Sequence, residues 1–156
     1  MIWCFNGKHY FRISTTTNKM ELSTINRLAV IVSGIAAWAL GSIWYTVLFG
    51  KMWREEVGIT DIKPTPAQMG KTFGGSLVLM CFMALGLAFC IPAIATPEVT
   101  ALTGMKCGIL MGIFFSAASI GINYLYQMKS LKLFFIDANY QIIFLGIEGA
   151  IIGAWH

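Results

Sequence analysis

The chain has 156 residues, enough for one domain, of which 57% are hydrophobic and 12% charged. Soluble domains sit near roughly 45–50% and about 25%, so the side chains needed to clothe a water-soluble surface are missing. Eleven Lys and Arg against seven Asp and Glu leave a net charge of +4; the excess is scattered beside apolar stretches, which excludes a nucleic-acid-binding block and fits anchoring at a membrane interface.

The expectation is an all-α fold: a four-transmembrane-helix bundle, with an N-terminal segment over residues 1–19 and a membrane domain over 20–156. Residues 1–19 have no apolar core of signal-peptide length. They are either an extension preceding a start at Met20 or an interfacial arm anchored by Trp3, Phe5, Tyr10 and Phe11.

The first span is expected over about 24–49, with Ser23 as its N-cap and Arg27 snorkelling to the headgroups. Ser33, Ala37 and Gly41 recur every four residues, a small-residue stripe that permits close helix packing. The exit is aromatic. Trp44, Tyr45, Lys51 and Trp53 are expected at the headgroups, where ring bodies are apolar and their polar tips wet.

The first loop, about 50–65, is the most charged stretch, and Lys51 to Val57 predicts a short interfacial helix. Thr65, Pro66 and Gln68 have the pattern of a capping box with proline at the first helical position. The second helix therefore begins outside the hydrocarbon, with its span over about 72–95. Gly70 and Gly74 offer it a close-approach face, and Pro92 kinks or ends its membrane portion. The third span, about 103–126, carries a ladder of Gly104, Gly108, Gly112 and Ser116. Lys106 near its start is read as snorkelling.

The fourth span, about 131–155, is the most informative. A helix rises about 1.5 Å per residue and must cross roughly 30 Å of hydrocarbon, and this stretch is long enough. Yet it carries Asp137, Asn139, Gln141 and Glu148, groups that are costly in lipid and turn toward protein or water. Asp137, Gln141, Phe144 and Glu148 fall on nearly one helical face. The candidate polar, ligand or ion site is therefore Asp137, Glu148, Gln141, Asn139 and Tyr140, with Asn123 approaching from the third span. Each carboxylate is either part of a proton- or cation-handling site or ligand cavity, or part of a clasp that fixes helix register. Lys132 is poorly placed for a helix dipole that favours anions, and either binds a lipid phosphate or pairs with Asp137.

Lys and Arg set the expected orientation. Lys51, Arg54, Lys63, Lys71, Lys129 and Lys132 lie on the side of loops one and three, against Arg27 and Lys106 on the other. Six against two places both termini outside the cytoplasm; adding Lys8, Arg12 and Lys19 makes it six against five.

No HExxH, GxSxG or phosphate-binding glycine loop occurs, so no enzyme is expected. No cofactor and no metal are expected either. The histidines are His9 and His156, and Cys4, Cys81, Cys90 and Cys107 contain no CxxC pair. The stripes of the first and third spans exceed what four short helices need internally, so a homo-oligomer in contact with membrane lipids is expected. The leading function is that of a structural or lipid- or small-ligand-binding membrane protein. The alternative is a channel or proton-coupled transporter using the polar stripe of the fourth span.

Two stretches carry a family likeness. One is Gly41-Ser42-Ile43-Trp44-Tyr45 followed by Leu48-Phe49-Gly50-Lys51-Met52-Trp53. The other runs from Ser130 to Tyr140, followed by Gly149-Ala150-Ile151-Ile152-Gly153-Ala154-Trp155. From about Arg27 to Trp155 the chain resembles the small membrane proteins catalogued as domain of unknown function 1761. The resemblance implies four spans and residence in a bacterial membrane, and it implies no established activity. Members often have proline after the tryptophan–tyrosine pair and glycine–tyrosine–histidine in the last span. Here the positions hold Thr46-Val47 and Asn139-Tyr140-Gln141, and the absent histidine weakens a titratable or metal role at Gln141.

Overall fold

The structure, a computed structural model, describes residues 25–94 and 98–155. The expectations for residues 1–19 and the cap at Ser23, and His156, lie outside the described residues. Those described form helices joined by short connections, with no strand among them. Four helices are long and apolar enough to cross a membrane: α1 (Arg27–Leu48), α3 (Pro66–Ile94), α4 (Ala101–Tyr126) and α5 (Leu131–Ala154). A short helix, α2 (Gly50–Val57), joins the first two.

Local chemistry explains the ends. Asn26 caps α1, its Oδ1 accepting from the N–H groups of Leu28 and Ala29 at 3.1 and 3.2 Å. Thr65 and Gln68 form the expected reciprocal cap of α3 with Pro66 as its first residue, and Pro92 is accommodated near its end. Thr100 and Thr103 do the same for α4, which therefore starts slightly before the expected boundary. Gly58, at φ 80°, closes α2 in the left-handed region that glycine enters without steric cost.

The outer surface is apolar. Val47, Val78, Phe82 and Phe114 are all exposed, whereas Asp137 and Glu148 are buried. Water would favour the opposite distribution, and lipid as solvent accounts for it. The apolar exterior, the buried acids and the four long apolar helices describe a multi-pass membrane protein.

Helix α5 is the centre of the packing. Its broadest contact is with α4, and it also packs on α1 and α3. Glycine makes the α4 contact possible. A Cβ at Gly104 would strike the backbone of Gly149, one at Gly108 the carbonyl of Leu145, and one at Gly112 the backbone of Ile142. The reciprocal glycines Gly149 and Gly153 meet Gly104 and Thr100 in the same way. The ladder of the third span is thus used inside the chain, which corrects the expectation that it exceeds internal needs. Without hydrophobic drive in lipid, such close van der Waals approach is what holds helices together.

The stripe of α1 is also internal. Ser33, Ala37 and Gly41 are buried, and Gly41 leaves room for the ring of Tyr140, whose hydroxyl lies 2.5 Å from where a Cβ would stand. By contrast, a Cβ at Gly70 or Gly74 on α3 would meet nothing within 4 Å among the described residues.

Candidate functional site

Two spanning helices are widened by a π-helical turn, α1 at Trp44–Leu48 and α4 at Gly112–Ala117. Such turns insert an extra residue into the helical ladder and recur at functional sites. The first lies at the level of Asp137 and the second within about one turn of it, toward Ile142. Tyr45 in the first turn touches Asp137 directly. The second lies between Gly112, which meets Ile142, and Gly121, which meets Phe134.

Asp137 is 7% exposed. Tyr45 donates its hydroxyl proton to Oδ1 at 2.8 Å, and Tyr124 donates to Oδ2. Three spanning helices therefore meet at one carboxyl group. A carboxylate has about four acceptor sites, so this clamp leaves part of its capacity free. Among the described residues no Lys or Arg pairs with Asp137; the ion pair present is Lys132 to Glu56 at 3.1 Å.

The aromatic wall continues from the clamp. Tyr45 packs edge-on against Trp53 and Tyr140, with centroids 5.3 and 5.0 Å apart. Asp137, Tyr45, Tyr124, Trp53, Gln141 and Lys129 line an open cleft of about 450 Å³ at the end of the molecule where α2 and the α4–α5 turn lie. On the other side of the α1–α5 contact, a more apolar groove of about 470 Å³ is bordered by Trp44, Phe135, Asn139 and Lys132.

Several expected placements are corrected. Asn123 does not approach Asp137; its side chain donates to the Ser119 carbonyl of its own helix and is exposed. The helical spacing that brings Tyr124 to the aspartate turns Asn123, one residue earlier, about 100° away. Trp44 is buried rather than interfacial, with its indole N–H on the Ile136 carbonyl at 3.2 Å. Tyr45 is a hydrogen-bond partner of Asp137 rather than a free headgroup anchor, and Trp53 packs edge-on against it. Lys51 is exposed.

Lys132 pairs with Glu56, not with Asp137. Ser130 caps α5 by accepting from the Leu133 N–H at 3.1 Å and donates its hydroxyl proton to the same Glu56. That acid lies beside the start of α5, where the dipole favours an anion, so it compensates for the misplaced lysine. The Ser130 hydrogen bond, and then Lys132, hold the Glu56 carboxyl below the usual carboxylate range.

Of the remaining candidates, Asn139 is exposed and bonds to the Phe135 carbonyl, Gln141 reaches the polar cleft, and Tyr140 is buried with its hydroxyl on the Ala37 carbonyl at 3.3 Å. Ser116 is partly buried. Glu148 is fully enclosed, remote from the cleft, and among the described residues neither of its carboxyl oxygens has a hydrogen-bond partner. Sequence reasoning missed Tyr124 as a clamp residue. Its signal was present: a tyrosine at the end of the third span, across a tight turn from an aspartate one to two turns into the fourth.

The family described as protein of unknown function (DUF1761) matches this chain over residues 28–153, which takes in both π-helical turns, the aspartate clamp and Glu148. The chain belongs to this family. The matched span begins one residue after the start of α1 and ends one residue before the end of α5. The family description assigns no activity, so function has to be argued from the site. No curated protein and no solved structure matches the chain.

Proposed function

We propose that this family member is a membrane-resident binding protein, not an enzyme, and that the Asp137 cleft receives the amine or ammonium group of a small zwitterionic ligand, with a phospholipid headgroup as the favoured occupant. The observation that carries this reading is a buried carboxylate that forms no ion pair among the described residues, held by two tyrosine hydroxyls at the base of an open aromatic cleft. Aromatic faces attract a cation positioned over them, and the attraction strengthens when water is excluded. Tyr45, Trp53 and Tyr124 supply such walls, and Asp137 supplies the charge. Lys129 on the lining supplies a partner for a phosphate. Pockets for small ligands run from roughly 300 to 1,000 Å³, so the cleft has room for a headgroup.

The same reading carries an orientation. With both termini outside the cytoplasm of a bacterial inner membrane, loops one and three and the cleft face the inner leaflet. Assembly as a homo-oligomer of four-helix bundles would use α3, whose Gly70 and Gly74 are open, rather than the occupied ladder of α4.

The test is lipid retention measured by native mass spectrometry from nanodiscs containing phosphatidylethanolamine and phosphatidylglycerol. Preferential retention of the ethanolamine lipid, lost in Asp137→Asn, supports the proposal. Equal retention of both lipids, or retention unaffected by the substitution, overturns it.

A further inference from the structure

Glu148 lies eleven residues beyond Asp137 on nearly the same face of α5, about 16 Å along the helix. The two acids are kept apart. Tyr140 and Phe144 lie between them with ring centroids 5.0 Å apart, and both are buried. Glu148 is 0% exposed, and among the described residues neither carboxyl oxygen has a hydrogen-bond partner. Within the described residues it makes none of the hydrogen bonds that a register clasp needs.

The surroundings of Glu148 follow from the helix register. Asn26 donates to the Trp155 carbonyl and Tyr45 to Asp137, so antiparallel α1 places Ser33 at the level of Glu148. The Ser33 hydroxyl is turned onto its own Val30 carbonyl at 3.0 Å. On the α4 side, Gly104 and Gly108 press backbone against backbone at Gly149 and Leu145.

The ionisable groups on the packed elements are few. On α1 they are Arg27 and Tyr45, near opposite ends of the helix. On α3 they are Lys71, Cys81 and Cys90. On α4 they are Lys106, which is exposed, and Cys107, Tyr124 and Tyr126. The charged residues of α2 belong to the opposite end of α5, where Glu56 meets Lys132. On α5 itself, Tyr140 gives its hydroxyl to the Ala37 carbonyl.

An ionised carboxylate enclosed without a counter-charge is strongly disfavoured, so this group needs either a proton or a bound cation. A hard cation requires several oxygen ligands. No cluster of three or more His, Cys, Asp or Glu forms among the described residues to supply them. We propose that Glu148 is a proton-binding site: a carboxyl group that carries its proton between the helices, separate from the ligand cleft, and releases it only when water or a base reaches it. The site stands whether or not the cleft binds an amine.

The experiment is infrared spectroscopy of the full chain in an ester-free detergent at neutral pH, with the carbonyl stretch of an un-ionised carboxylic acid as readout. The parent should show one such band, shifted in deuterium oxide. It should vanish in Glu148→Gln and persist in Asp137→Asn. A parent without the band, or a band that survives Glu148→Gln, overturns the proposal. A band that appears only when sodium and potassium are removed overturns it in favour of a bound cation. Should Glu148→Gln fail to fold, mass-spectrometric mapping of a hydrophobic carbodiimide on the parent decides: an adduct on Glu148 supports the site, and adducts confined to other residues overturn it.

Discussion

Tyr45 and Asp137 are 92 residues apart in sequence, and the tyrosine hydroxyl donates to the carboxylate at 2.8 Å. The contact ties the π-helical turn of α1 to α5. Tyr124 completes it from α4, so one acidic side chain registers three spanning helices while remaining open to a cleft.

Removing either hydroxyl should cost stability. Hydrogen bonds to charged groups are worth about 1.5–3 kcal/mol, so Tyr45→Phe and Tyr124→Phe should each lower the unfolding midpoint in detergent. Because both donors serve one carboxylate, the double variant should depart from additivity. Midpoints unchanged in both single variants would show that the clamp contributes nothing.

The glycines of α4 and α3 should respond in opposite senses. Gly108→Leu forces a side chain against the Leu145 backbone, and overpacking of this kind typically costs about 1–3 kcal/mol or more. Gly86→Ala on α3 meets open space and should stabilise by roughly 0.5–1 kcal/mol through helix propensity. Denaturation series on the two variants check the contrast; equal effects would contradict the packing.

The α2–α5 junction should open in acid. The Glu56 carboxyl is held below its ordinary range by Ser130 and then Lys132, so its contribution is fully present above the ordinary carboxylate range. That contribution is lost as the pH falls through the lowered value. Because the pair lies at the surface, salt should weaken it. Fluorescence of Trp53 on α2, followed through an acid titration, reads this step. Glu56→Gln should remove it, and an identical titration in that variant would disprove the assignment.

Trp44 should behave as a core residue. Its indole is 8% exposed and bonded to the Ile136 carbonyl. In single-tryptophan variants, aqueous iodide should quench Trp155, which is 45% exposed, and leave Trp44 largely untouched. Trp44→Phe keeps a ring and should cost about 1 kcal/mol, against about 3–5 kcal/mol for Trp44→Ala. Strong quenching of Trp44 would restore the interfacial reading.

The sequence by itself determined the all-helical architecture, the four apolar helices, the short helix after the first span and the cap at Thr65–Gln68. These follow from local composition, hydrophobic length and turn chemistry, all read within a few neighbouring residues. It also marked the fourth span as the place where polar groups must be accommodated, because acids in so apolar a stretch require protein or water around them. Only the tertiary structure decided which partners they receive. Whether Tyr124 or Asn123 faces Asp137, and whether Trp44 points to lipid or to Ile136, turns on a rotation of about 100° per residue and on two π-helical turns that no local pattern announces. The separate fates of Asp137 and Glu148, one clamped beside an open cleft and one sealed away from it, arise from how α1 and α4 close around α5.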